Sequence, residues 1–210
     1  MESPNILLLF TDDQRFDTIK ALGNEQIKTP NLDRLVANGT AFDHAYIMGG
    51  TDVAVCMPSR AMLLTGRTLF HLAEAGRYIP DDQVLLGEAL QAAGYHCWGA
   101  GKWHNGHESY ARSFNDGADI YFGGMYDHWN VPVHEFDPSG KYDGRITKTA
   151  YFRPSNEIEE TIATHVNSGR HSSELFAEQA SSFIESYTGS QPFFAYVAFM
   201  APHDPRTMPH

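Results

Sequence analysis

Three short apolar runs constrain this chain more than any other feature: NILLLF at residues 5–10, YHCWGA at 95–100 and FFAYVAF at 193–199. The first and last show no alternation, the mark of strands covered on both faces. Stretches with helical spacing lie between them. Thr29, Pro30, Leu32, Leu35, Val36 and Gly39 supply a cap, a first-turn proline, an apolar face and a stop. Asp82 heads a second helix, with Leu85, Leu86, Ala89, Leu90 and Ala93 ahead of Gly94. A third covers residues 172–187, on the spacing of Leu175, Phe176, Ala180, Phe183 and Ile184. Alternating strands and helices predict an α/β fold with a largely parallel sheet flanked by helices. Residues 105–170 break this rhythm. Turn signals such as Asp137-Pro138-Ser139-Gly140 and Tyr142-Asp143-Gly144 mark them as a loop-rich excursion over the surface, with room for a hairpin.

The 210 residues suffice for one sizeable core. Acidic side chains outnumber basic ones, 26 to 15, for a formal charge of −11. Such a chain is not built for nucleic acid, which is bound through basic patches. To handle an anion it must place cations, or a metal, locally against its own field. No stretch approaches the roughly 20 apolar residues of a membrane span. MESPNILLLF lacks the basic start and cleavage site of a signal peptide. That favours a cytoplasmic location, or a periplasmic or secreted one if a leader was removed before numbering. With two cysteines, a disulfide framework is not the organising principle.

Each apolar run gives way at once to polar residues: Thr11-Asp12-Asp13-Gln14-Arg15, Gly101-Lys102-Trp103-His104, and Ala201-Pro202-His203-Asp204. In open α/β sheets ligands sit beyond the carboxyl ends of the strands, so a parallel sheet would gather these three groups on one side. Asp12 and Asp13 read either as a solvated turn or as ligands for a hard cation, magnesium or calcium. Two carboxylates are too few for such an ion, so other ligands must come from elsewhere. Lys102 and His104 share a side of any extended segment, with Trp103 packing inward between them. They read as an exposed loop, or as an anion-binding cation beside a titratable acid or base. His203 is open to the same two readings.

Cys56-Met57-Pro58-Ser59-Arg60 opens a fourth helical stretch that ends at Gly66. A cysteine at a helix N-terminus lies where free N–H groups and the dipole favour an anion, and Arg60 offers sulfate or phosphate a planar fork. The ordinary alternative is a small buried residue packing as a hydrophobe. A thiolate phosphatase would need a longer loop between cysteine and arginine than the three residues present.

Residues 56–66, CMPSRAMLLTG, resemble the C-x-P-S-R-x-x-x-L-T-G motif of type I sulfatases. Gly94-Tyr95 followed by Gly101-Lys102-Trp103-His104 is similar to that family's second motif. Pro4 to Gln14, Thr29 to Leu35 with Gly39 and Phe42, and Ala201-Pro202-His203 resemble its opening strand and metal site, its next helix and its later histidine segment. The resemblance implies an alkaline-phosphatase-like three-layer α/β/α fold. It implies that a separate formylglycine-generating maturation enzyme oxidises Cys56 to an aldehyde, hydrated to a geminal diol. One hydroxyl attacks the sulfur of a small-molecule or carbohydrate sulfate ester; the second then expels sulfate. It further implies that Asp12, Asp13 and the matured Cys56 bind a divalent cation, usually calcium. Arg60 would stabilise the diol and contact the carboxylates, Lys102 and His203 would bind sulfate or leaving-group oxygens, and His104 would be the base for the second hydroxyl.

Sulfatases are longer than this chain and take further metal ligands, and a second lysine, from beyond the equivalent of His203. The resemblance therefore leads us to expect the N-terminal part of a catalytic domain, residues 1–210, with the fold incomplete at its C-terminus, the C-terminal subdomain absent and an exposed sheet edge. Competing readings are a phosphonate monoester or phosphodiester hydrolase on the same scaffold, or an inactive anion-binding fragment. Cys97 is assigned no role. Tyr110, Phe114, Tyr121, Phe122, Tyr126 and Trp129 offer either a stacking platform for sugars or ordinary packing.

Overall fold

The computed structural model of the chain describes residues 3–50, 55–72, 76–149 and 158–209. In chain order the elements are β1 (Ile6–Phe10), α1 (Pro30–Asn38), α2 (Cys56–Thr65), α3 (Leu86–Ala92), β2 (His96–Lys102), α4 (His107–Ser113) and β3 (Asp116–Tyr121). They continue with β4 (Pro132–Val133), β5 (Arg145–Thr149), β6 (Ile158–Ile162), β7 (His165–Val166), α5 (Ser172–Ser186) and β8 (Phe193–Ala198). The central sheet runs β1-β8-β2-β3, and every pairing in it is parallel. Parallel neighbours need crossovers, and the helices between the strands supply them.

β8 lies between β1 and β2, and all six of its residues are buried. Its side chains alternate between two cores, as a period of two requires. Phe194, Tyr196 and Ala198 join Trp103, Tyr110, Phe114, Ala61 and Leu64 on the face that carries α2 and α4. Phe193, Ala195 and Val197 join Trp98, Ala100, Leu175, Phe176 and Ala180 under α5. The expected sheet with helices on both faces is thus present.

Several local expectations are corrected. β1 is not covered on both faces: Ile6, Leu8 and Phe10 pack inward, while Leu7 and Leu9 are 48% and 50% exposed. Its place at the sheet edge explains this, because α5 packs on β2, β3 and β8. α1 buries none of its residues. Thr29 stands at its N-cap as expected, but without a side-chain cap bond; the Thr29 hydroxyl donates to Asp33 Oδ1 at 2.8 Å and accepts from Lys20 N at 2.9 Å. Asp82 lies ahead of α3 in a turn, and the first N–H of that helix region, Leu85 N, is satisfied instead by Glu88 Oε2 at 2.9 Å.

The stretch 105–170 is only partly a surface excursion. Asp116–Tyr121 forms β3 of the main sheet, which its Asp and Gly residues disguise in the sequence. The expected hairpin pairing is present in two small antiparallel ribbons, β5 with β6 and β4 with β7. Residues 150–157 of the excursion lie outside the described residues.

Between Ala100 and Gly101 the β2–β3 register shifts by a bulge. Gly101 sits there at φ +87°, and a Cβ at this position would fall 2.0 Å from the Ala198 carbonyl oxygen. Only glycine tolerates both the dihedral and the close approach of β8. Lys102 follows as the last residue of β2. Gly101→Ala is expected to cost about 3 kcal/mol or more of folding stability. Urea denaturation measures this, and a variant with the parental midpoint would contradict the packing described.

Candidate active site

The carboxyl ends of β1, β2 and β8 lie side by side, and the polar residues following each strand meet there. The backbone ties them together: Phe199 N donates to Phe10 O at 2.8 Å, and Asp12 N donates to Ala201 O at 3.1 Å. From the facing side comes the N-terminus of α2. Its first residue is Cys56, Pro58 stands in its first turn, and Gly66 at φ +65° closes it by donating to Met62 O at 2.9 Å.

At the centre is a buried charge cluster. Asp12 is 4% exposed, Arg60 1% and Lys102 0%. The Lys102 ammonium pairs with Asp12 Oδ2 and donates to the Gly124 carbonyl. Arg60 Nη1 donates to Lys102 O at 2.6 Å and to the Tyr196 hydroxyl at 3.0 Å. Arg60 Nη2 lies 3.5 Å from Asp12 Oδ1, an ion pair rather than a hydrogen bond, and the guanidinium sits 4.9 Å over the Phe10 ring. Two cations thus share one carboxylate away from water. Removing Asp12 would leave both cations without their carboxylate in the interior, at a cost of about 3–5 kcal/mol.

Beside this cluster Cys56 Sγ lies 3.2 Å from His104 Nδ1. His104 holds φ +71°, an unusual backbone for a side chain of its size. Its ring is passed closely by Gly124, where a Cβ would stand 2.7 Å from Cε1 and Nε2. Burial, then the nearby Lys102 and Arg60, push the His104 pKa down to about 3 against the opposing pull of Asp12. The imidazole is therefore neutral. His203 stands on the far side, with Nδ1 donating to Asp204 O at 2.8 Å and Nε2 3.6 Å from Asp13 Oδ2. A cavity of about 450 Å³ opens beside Asp13 and His203 and is also lined by Arg15 and Arg206.

All seven residues singled out in the sequence, Asp12, Asp13, Cys56, Arg60, Lys102, His104 and His203, stand at this end of the sheet. They divide into the tight cluster of Asp12, Arg60 and Lys102, the adjacent Cys56–His104 pair, and the Asp13–His203 pair. The ammonium of Lys102 faces Asp12 and Gly124 rather than open solvent. Cys97 is fully buried, with Sγ 3.5 Å from Gly87 O, and burial pushes its pKa up to about 11. Three members of the suggested aromatic platform, Tyr110, Phe114 and Tyr121, are core residues instead. Tyr196, Gly124 and Asn105 contribute contacts that sequence reasoning missed. The only trace of Tyr196 was a hydroxyl inside an apolar run.

The Asp12 and Asp13 carboxylates fit a hard divalent cation by the chemistry of their oxygens. They fall short in number, since calcium takes about 6–8 oxygen ligands. Among the described residues no group of three or more His, Cys, Asp or Glu side chains could hold a metal ion.

Comparison with known proteins joins these features. Residues 4–210 match the family described as Sulfatase. N-acetylgalactosamine-6-sulfatase of Homo sapiens is 32% identical, over 97% of this chain and 40% of its own length. Arylsulfatase of Klebsiella aerogenes is 30% identical, over 99% of this chain and 45% of its own length. The crystal structure of Ps i-CgsB superposes with a TM-score of 0.70 at 26% identity, over 97% of this chain and 46% of that one. A structure solved in complex with its substrate D-glucosamine-2-N,6-O-disulfate shares the fold, with a TM-score of 0.68 at 23% identity, over 96% of this chain and 35% of that one. The chain spans about two fifths of the length of the curated relatives it matches. With the match running through nearly every residue, the chain belongs to the sulfatase family.

Proposed function

We propose that the protein containing this chain hydrolyses the sulfate esters of carbohydrates, with residue 56 as its nucleophile. The observation that carries this reading is the Cys56–His104 contact at 3.2 Å, set against the buried Asp12–Arg60–Lys102 cluster. Carbohydrate is favoured as the substrate class by the relatives. One is named for N-acetylgalactosamine-6-sulfate chemistry, and two matched structures were solved with a disulfated glucosamine and a neocarrahexaose.

In this reading a separate maturation enzyme converts the CH₂–SH of Cys56 to CHO: the C–S bond breaks, the sulfur leaves as hydrogen sulfide, and molecular oxygen is reduced to water with two electrons from the side chain and two from a thiol reductant. Hydration of that aldehyde supplies two hydroxyls on one carbon. An oxygen of the diol bonds to sulfur as the bond from sulfur to the sugar oxygen breaks, and the alcohol leaves with a proton. His203 would bind that leaving oxygen and supply its proton. His104, neutral and beside residue 56, takes the proton of the second hydroxyl. The carbonyl re-forms, the bond to the sulfate oxygen breaks, and sulfate departs. Water and ester are consumed; alcohol and hydrogen sulfate are produced. Arg60 orients residue 56 through fixed donors, and Lys102 holds Asp12 and lends positive field. Asp12, Asp13 and residue 56 would hold a divalent cation, calcium or alternatively magnesium, which when bound polarises the sulfate.

Peptide mass spectrometry of protein made together with the maturation enzyme is expected to find residue 56 about 18 Da lighter, with Cys97 unchanged. An active full-length protein whose Cys56 remained a thiol would refute the mechanism. In the same protein, aryl sulfate is expected to be turned over in preference to aryl phosphonate; the reverse order would favour a phosphonate hydrolase.

Arg60→Lys keeps the charge but loses the planar fork, and is expected to impair both maturation and turnover. His104→Ala is expected to mature normally and release about one equivalent of alcohol per site, then stall with sulfate held on residue 56. Loss of one such group should slow turnover by roughly 10²–10³-fold. Steady turnover by His104→Ala without trapped sulfate would remove His104 from the release step.

A further inference from the structure

We propose that Asn105 is a positioning residue that sets the contact between His104 and residue 56. The inference rests on the reading of His104 as the base for sulfate release. Asn105 directly follows His104 and is buried to 1% exposure. Its Nδ2 donates to Met57 O at 3.0 Å and to Gly76 O at 2.7 Å. Both acceptors are carbonyls, so only the NH₂ end of the amide can face them, and its orientation is determined. Met57 in turn directly follows Cys56. The neighbour of the base is thus bonded to the neighbour of the nucleophile.

A second link lies on the other side of the pair, where Arg60 Nη1 donates to Lys102 O at 2.6 Å. One clamp therefore joins α2 to the backbone ahead of His104, and the other joins it to the residue behind. Between them His104 adopts its left-handed conformation. The turn is also fixed from α4, where Ser109 Oγ donates to Asn105 O at 2.7 Å and accepts from Trp103 Nε1 at 2.9 Å. The bond to Gly76 ties the turn to a segment beside α2. A Cβ on Gly76 would stand 2.8 Å from Pro58 Cα, so that segment lies directly against the first turn of α2.

Asn105 Oδ1 is buried without a hydrogen-bond partner. The amide thus leaves one acceptor unpaired while its NH₂ holds two backbone carbonyls of the nucleophile's surroundings in register with the base.

The test is Asn105→Leu in the full-length, matured protein, with aldehyde content at residue 56 and thermal unfolding as controls. The first burst of alcohol is expected to keep its size and rate. Steady turnover is expected to fall by about 10–100-fold, as small misplacements of a catalytic group do, with sulfate accumulating on residue 56. KM should fall along with kcat, since release has become slower. In the His104→Ala background the same substitution should change residual turnover by less than about twofold, because the group it positions is gone. Turnover equal to the parent, or an equal loss in both backgrounds, would overturn the inference. If Asn105→Leu does not fold, Asn105→Ser removes the reach to both carbonyls without adding bulk and is read by the same criteria. Steady turnover by His104→Ala alone would instead overturn the parent reading, and this one with it.

Discussion

The site depends on one buried carboxylate. Asp12 leaves the edge strand β1 and meets two cations carried by different elements, Lys102 at the end of β2 and Arg60 within α2. None of the three is tolerable alone in the interior. Together they fix the relative positions of strand ends and helix, and they leave a net positive charge in a chain of formal charge −11. That local reversal of sign is what an acidic protein needs in order to receive a sulfate.

Around this cluster the backbone adopts conformations that most residues avoid. Asp13 and His104 both hold positive φ, at 60° and 71°, and Gly101 at +87° lies where the β2–β3 register shifts past Asp119. Each stands at or near a strand end where a side chain must be turned toward the site. Strain of this kind persists only where surrounding contacts determine it. Here those contacts are the Arg60 bonds, the Asn105 amide and the close approach of Gly124 to the His104 ring.

The parallel sheet and the α2 boundaries are legible in the chain because they rest on local rules. An apolar run makes a strand, and a first-turn proline with a terminal glycine brackets a helix. β3 is hidden because Asp116-Gly117 opens it, and pairing with β2 overrides that local preference. The exposure of Leu7 and Leu9 is also invisible in sequence, since it follows from strand order rather than composition. In the site, charged residues after strands announce themselves as Asp12, Asp13, Lys102 and His203. Tyr196 and Asn105 do not, because their roles lie in contacts with residues far off in the chain, 136 residues away for Tyr196 and 48 for Asn105. The burial of Lys102 against Asp12 was likewise beyond any reading of its spacing to His104.

The central claim is that residue 56, held against His104 and beside the buried cations, attacks sulfur. Hydrolysis of a sulfate ester by the matured full-length protein in ¹⁸O-labelled water tests it directly. Attack at sulfur breaks the bond between sulfur and the sugar oxygen, so mass spectrometry should find the label in sulfate and none in the released alcohol. Label in the alcohol would mean that the carbon–oxygen bond had broken instead, and would contradict the mechanism drawn from this site.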